Sequence, residues 1–499
     1  MRFVRALHTP SLTFPIIPPN GRPPGNLSAL MSLPDLRAYA DHFAKCGYDE
    51  ELLSAVGEPL QSGFMKRSRV EWPEETSESA RTLLSLFALF LPQSEAALQQ
   101  ALAPLSLDPL LEAGLVQRDG DHVLALRSIV PFHGRWVVCD PFPFAEQPIP
   151  TDYVLPPSNG TRIAAWTTVF RSGGVAWDLG TGQGAQAVQL AAEGMQVIAS
   201  DITDRALQSA KLTASLNGQP QIEWRQGSFL EPFGDETADV IVSNPPFVIT
   251  TGQGIPGLSA QSGADSGSDS GPDSAVEQLA RELPLRLRPG GWMTMLASWY
   301  QDDEKDWTAR PRAWLKDSGC NCWIVLLSQT EPARFAEEMR SLPGNGDFDP
   351  VAWAQLIREL KMKQICYGLI LCQKAEGPGW FRCEAIPALT LRQAHQGQIE
   401  RVFANTQQMY SGLSAQQSLK RHFRRVEDIQ ILRKGPQAQI QHQNGFALPI
   451  NCSPGLAEAI LKWSPDKWPA EILGPFIPSQ DEQKALMGLL FRNGYLELV

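Results

Sequence analysis

No apolar run in the 499 residues reaches the length of about 18 that a membrane-crossing helix needs, so a spanning segment is excluded and a soluble chain is expected. Cysteine is scarce. Eight thiols stand apart at positions 46, 139, 320, 322, 366, 372, 383 and 452, and the close pair Cys320-Asn-Cys322 lacks the spacing of a zinc half-site. That excludes a disulfide scaffold, gives no reason to expect a metal, and reads as reduced thiols in an intracellular, cytoplasmic protein. Positive charge is in deficit: the net charge of -11 excludes a surface that is basic everywhere and confines any nucleic-acid contact to a local patch. Acidic residues are missing from 1–34, which carry Arg2, Arg5 and Arg22 as a transit peptide would. Pro10, Pro15, Pro18, Pro19, Pro23 and Pro24 spoil the amphipathic helix such a peptide needs, so a disordered tail is expected there.

What is present is ordinary globular composition, 43% hydrophobic and 19% charged, over a length that suggests roughly three domains. Residues 35–135 read as a helical domain of winged-helix type. Helical spacing begins near Leu33-Pro-Asp-Leu, Arg81 to Phe90 is a buried helix by apolar density, and Ser94 and Asp108 open two more. Gly114 ends the last of these, and Leu115-Val-Gln, the turn Arg118-Asp-Gly-Asp121 and His122 to Arg127 form a hairpin. Residues 376–499 read as a smaller α+β domain whose end repeats the pattern, with Ser453 as N-cap, Pro454 at the first helical position, a helix from Asp481 to Phe491 and a strand from Tyr495 to Val499.

Between them, residues 136–375 alternate strands and helices, the signal for a parallel sheet covered on both faces. Strands are expected at 175–178, 196–201, 222–226, 239–244, 292–298, 322–327 and 364–372, giving a seven-stranded, doubly wound, Rossmann-like α/β fold. Residues 252–274 form a Gly/Ser/Asp tract that cannot build a core, so a flexible insertion is expected there, leaving directly from the Asn-Pro-Pro-Phe segment.

Asp178-Leu-Gly180-Thr181-Gly182-Gln-Gly184 places an acid at the end of a strand, then glycines that permit a tight turn, then a helix whose first amides are donors. It lacks the Gly-Lys-Ser/Thr ending of a phosphate loop, and a carboxylate at Asp178 suits an ammonium group better than a pyrophosphate. Asp201, twenty-one residues after Gly180, ends the next strand, where a carboxylate reaches vicinal ribose hydroxyls. In Ser243-Asn244-Pro245-Pro246-Phe247 the prolines stiffen the backbone and remove donors. The Asn244 side-chain oxygen and the Pro245 carbonyl are left as adjacent acceptors for a planar NH2 group, on which Phe247 can stack. Holding both hydrogens would turn the nitrogen lone pair toward an electrophilic methyl group, and no strong base is needed.

These residues, with Ile202, Ala206-Leu and Asn217, resemble the nucleoside-binding half of class I S-adenosylmethionine-dependent methyltransferases, and Asn-Pro-Pro-Phe narrows the resemblance to amino-methyltransferases. The resemblance spans about 150–375 and implies S-adenosylmethionine as cofactor. Asp178 and Gly180, Thr181, Gly182 and Gly184 would hold its methionine end, Asp201 and Ile202 the ribose side, and Gly227-Ser228-Phe229 the adenine. Many relatives carry Asp where this chain has Ser228. Val248-Ile-Thr250 is similar to the segment in release-factor glutamine methyltransferases, so the acceptor expected is a protein glutamine, as in a translation factor. An adenine or guanine amino group of RNA or DNA is the alternative, and a nucleoside-binding scaffold without activity is a second. Lys420-Arg-His-Phe-Arg-Arg425 with Arg433-Lys434 is the concentrated basic stretch that favours RNA binding.

Overall fold

The computed structural model describes residues 34–61, 72–141, 152–246, 249, 273–302, 306–340, 349–387, 396–413 and 415–499. The expected tail before Pro34, Phe247, and the Gly/Ser/Asp tract up to Asp273 lie outside the described residues.

The N-terminal part opens with α1 (Arg37–Cys46) and α2 (Glu50–Gln61). It continues as α3 (Glu78–Phe87), β1 (Gln93–Ser94), α4 (Glu95–Leu102), α5 (Asp108–Glu112), β2 (Val116–Asp119) and β3 (His122–Ala125). Helix starts follow local chemistry: Ser77 and Ser94 each accept an amide hydrogen bond from the first turn of the helix they precede. β3 pairs with both β1 and β2, which sets the expected hairpin beside three helices. A second hairpin, β4 (Ser128–Phe132) and β5 (Arg135–Cys139), was not foreseen from the sequence. Its turn residues His133 and Gly134 both have positive φ, 52° and 68°.

The centre contains α6 (Asn159–Thr167), β6 (Val175–Leu179), α7 (Ala185–Ala192), β7 (Gln196–Asp201), α8 (Asp204–Leu216), β8 (Glu223–Gln226) and β9 (Ala238–Ser243). After these come α9 (Ser274–Glu282), β10 (Leu287–Gln301), α10 (Ala309–Leu315), β11 (Cys320–Thr330), α11 (Pro332–Arg340), α12 (Pro350–Glu359), β12 (Gln364–Lys374) and β13 (Phe381–Ala385). The sheet contains the seven expected strands and an eighth, β13, in the order β13-β11-β12-β10-β9-β6-β7-β8. β8, β7, β6, β9 and β10 run parallel, and β12 is antiparallel to both β10 and β11. Strands buried on both faces read as apolar runs, and alternate residues divide between two cores. Ala176, Val240, Val242 and Leu296 face α6, α7 and α8. Trp177, Ile241, Met293 and Met295 face α9 and α10.

The C-terminal part comprises α13 (Gln396–Tyr410), α14 (Ala415–Ser418), β14 (Phe423–Arg425), β15 (Ile429–Lys434), β16 (Gln437–His442), β17 (Ile450–Cys452), α15 (Pro454–Leu461), α16 (Pro469–Leu473), α17 (Gln480–Arg492) and β18 (Leu496–Leu498). Ser453 caps α15 with Pro454 at its start, as expected. α13 belongs to the sheet's core, where Val402 and Phe403 pack with Trp292 and Trp380. Within the basic stretch, Phe423–Arg425 is a strand paired with Leu496–Leu498, and Phe423 lies in the apolar cluster of this part.

Candidate functional site

β6 is the strand from which the order runs outward both ways, to β7 on one side and β9 on the other, and the carboxyl ends beside such a strand form a crevice. Both motifs end there. Leu179 of β6 is paired with Ser243 of β9, so Gly180 and Asn244 leave neighbouring strand ends side by side. The Ser243 hydroxyl donates to the Leu179 carbonyl across 3.1 Å and locks this register.

Asp178 is 2% exposed. Its Oδ2 accepts from the Thr181 hydroxyl at 2.6 Å and the Ala187 amide at 3.0 Å, so the acid ties the glycine turn to the first turn of α7. Oδ1 makes no hydrogen bond among the described residues and can face a cation. Burial pushes the Asp178 carboxyl up to about 7, the Thr181 and Ala187 bonds oppose the rise, and the nearby Asp201 charge adds to it.

Gly180, Gly182 and Gly184 all take left-handed φ, 67°, 53° and 82°. At Gly184 the space also excludes a side chain, since a Cβ would lie 2.9 Å from the Ala210 Cα of α8. The loop is built from its own amides. Thr181 donates to the Ser200 carbonyl at 2.9 Å, Gly184 to Thr181 at 2.8 Å, and Gly182 to Asp201 Oδ2 at 2.9 Å. These three amides fix the turn's shape, and they precede the first amides of α7.

Asp201 is half-buried at the end of β7, and its Oδ1 accepts from the Thr203 amide at 3.0 Å and hydroxyl at 3.2 Å. With both oxygens anchored by one element or the other, the carboxylate is aimed outward and retains lone pairs for hydroxyl donors. Ile202 beside it is 63% exposed, an apolar surface with no core to join. The turn after β8 closes the far side: the Gly227 amide donates to the Asp201 carbonyl at 3.1 Å, and Phe229 has a φ of 45°. The structure therefore brings Asp178, Gly180, Thr181, Gly182, Gly184, Asp201, Ile202, Ser228 and Phe229 to one end of the sheet with Asn244 and Pro245.

Asn244 is half-buried and Pro245 buried. Asn244 Oδ1 is enclosed and has no hydrogen-bond partner among the described residues. A buried acceptor without a donor costs roughly 1–3 kcal/mol, which a bound N–H group would recover.

Sequence reasoning missed three participants. Thr203 orients Asp201 and also accepts from the Ala206 amide as N-cap of α8, a cap signal legible before the acid Asp204. Glu231 accepts the Ser228 amide at 3.2 Å and so places a carboxylate beside Ser228. Asp140 is 1% exposed and holds Arg127, Arg205 of the first turn of α8 and the Val154 amide. Nothing in the spacing of those residues announced that cluster.

Residues 159–255, which contain all of these motifs, match the family described as the methyltransferase small domain. Residues 67–126 match a domain of unknown function, DUF7059. The release factor glutamine methyltransferase of Xylella fastidiosa strain Temecula1 is 40% identical over 134 residues, 25% of this chain and 46% of that protein. That of Bacillus subtilis strain 168 is 33% identical over 185 residues, 34% of this chain and 60% of that protein. The chain thus spans about half the length of the curated relatives it matches. A solved methyltransferase from Pyrococcus furiosus is similar with a TM-score of 0.26 at 15% identity, covering 41% of this chain and 77% of that one.

Proposed function

We propose that this chain is an S-adenosylmethionine-dependent N-methyltransferase whose acceptor is a glutamine side-chain amide of a translation release factor. The observation that carries the reading is Asn244 Oδ1, an enclosed acceptor with no donor among the described residues, at the strand end next to the glycine loop. Pro246 contributes no amide hydrogen to compete for it. Asn244 Oδ1 and the Pro245 carbonyl take the two hydrogens of one planar NH2 group, and two fixed acceptors orient a nitrogen better than one.

S-adenosylmethionine, when bound, supplies the electrophilic methyl group. Asp178 would hold its ammonium group, Asp201 its ribose hydroxyls, and Ile202, Ser228 and Phe229 its adenine. Glu231, whose carboxylate accepts the Ser228 amide, would serve the adenine amino group. The names of the similar proteins, release factor glutamine methyltransferases, favour glutamine over a nucleobase.

The test is transfer of labelled methyl from S-adenosylmethionine to purified release factor or to an RNA fraction, with the modified residue located by mass spectrometry. Label on a release-factor glutamine is expected, and label confined to RNA would overturn the assignment. Asn244→Ala should keep the affinity for S-adenosylhomocysteine while losing transfer by about a hundredfold or more. Wild-type transfer by that variant would remove the positioning role.

A further inference from the structure

We propose a second binding surface, on the C-terminal part, for single-stranded RNA. It is centred on His422 and Trp468. Their ring centroids lie 4.1 Å apart at an interplanar angle of 39°, and Trp468 is 44% exposed. The pair is held in place from both sides. His422 Nδ1 is 2.7 Å from the Pro465 carbonyl, and the Trp468 amide donates to Glu471 at 2.7 Å as α16 begins. A large aromatic ring kept outside while Trp463, five residues earlier, is buried with its indole N–H on the Phe423 carbonyl is a platform on which a base can stack.

Charge around the platform departs from that of the chain. Lys420, Arg421, Lys462 and Lys467 are exposed on the two loops that carry the rings and make no ion pair among the described residues. Arg424 and Arg433 are committed to Glu497 and Glu458. Asp466 is the acid in the same two loops. Four cations against Asp466, with Glu471 at the start of α16, in a chain of net charge -11, make this a place where a phosphate backbone is attracted rather than repelled.

The histidine selects the sugar. A carbonyl oxygen only accepts, so His422 Nδ1 carries a proton in its bond to Pro465, and Nε2 makes no hydrogen bond among the described residues. A ribose 2′-hydroxyl both donates and accepts, so it can bond that nitrogen, and deoxyribose cannot.

The experiment is fluorescence anisotropy of labelled oligo-uridine and oligo-deoxyuridine of equal length, titrated with the full chain at low and moderate salt. Oligo-uridine should bind, weaken as salt rises, and exceed oligo-deoxyuridine in affinity. Trp468→Ala should lose roughly tenfold or more, Trp468→Phe should retain most of the affinity, and Arg421→Glu with Lys467→Glu should lower the salt slope. Unchanged S-adenosylhomocysteine affinity in these variants separates the platform from the Asp178–Asn244 site. Absence of oligo-uridine binding, equal binding of the deoxy strand, or full affinity in Trp468→Ala would each overturn the proposal.

Discussion

Asp178 makes cofactor affinity a function of pH in a direction that the structure specifies. The free protein holds this carboxyl up at about 7 against an ordinary 3.8, because it is buried. An ammonium ligand at Oδ1 favours the ionised form, so binding below about pH 7 must expel a proton. Affinity should therefore rise about tenfold per pH unit up to about 7 and level off above it. Stability of the ligand-free protein follows the opposite sign. The folded chain holds the proton more tightly than the unfolded chain, so stability is greatest below about pH 4 for this group alone and falls as pH rises to about 7. A climb from 3.8 to about 7 corresponds to about 4 kcal/mol at most, since a pH unit is worth about 1.4 kcal/mol. Asp178→Asn removes the titration, so that variant should be as stable as the wild type or more so at about pH 8, while losing about tenfold or more in affinity. Calorimetry with S-adenosylhomocysteine from about pH 6 to about pH 8, in two buffers of different ionisation enthalpy, reads both the affinity and the proton released. A flat affinity profile with no proton release in the wild type would refute the reasoning.

Gly184→Val should destabilise the fold by about 1–3 kcal/mol, because the position has a left-handed φ of 82° and a Cβ would sit 2.9 Å from Ala210; thermal unfolding checks it, and an unchanged Tm would show that α8 moves freely. Asp140→Ala leaves the buried Arg127 and the half-buried Arg205 without their carboxylate, and a loss of about 3–5 kcal/mol in urea unfolding is expected, with Asp140→Asn losing less. Glu231→Gln should weaken S-adenosylhomocysteine binding while leaving binding of the inosine analogue, which lacks the amino group, unchanged; equal losses for both would assign Glu231 to loop shape alone.

The sequence was most legible where backbone chemistry dictates residue type. Left-handed turns need glycine, so Gly180, Gly182 and Gly184 stood out. Helix starts need caps, so Ser94 and Ser453 marked theirs. Strands buried on both faces need apolar runs, and β9, β10, β11 and β12 were visible for that reason. The β4–β5 hairpin escaped because its strands are satisfied by side chains of a distant helix. Thr213 Oγ1 accepts the Val138 amide, and Asn217 holds both the amide and the carbonyl of Trp136. Arg424 and Arg425 stood in the sequence only as part of a basic stretch, yet their pairing with Leu496–Leu498 is decided by what Phe423 buries.

The sequence by itself determined that a carboxylate, a glycine turn, a second carboxylate and an Asn-Pro-Pro segment occur in one α/β sheet, since each is a local requirement of its own backbone. Only the tertiary structure decided that Leu179 and Ser243 are partners, and with that register that Asn244 stands beside the glycine loop. It also decided that Glu231 backs Ser228 and that Trp468 remains outside while Trp463 is buried. These are contacts between segments whose separation along the chain leaves no periodicity to read, and packing alone chooses them.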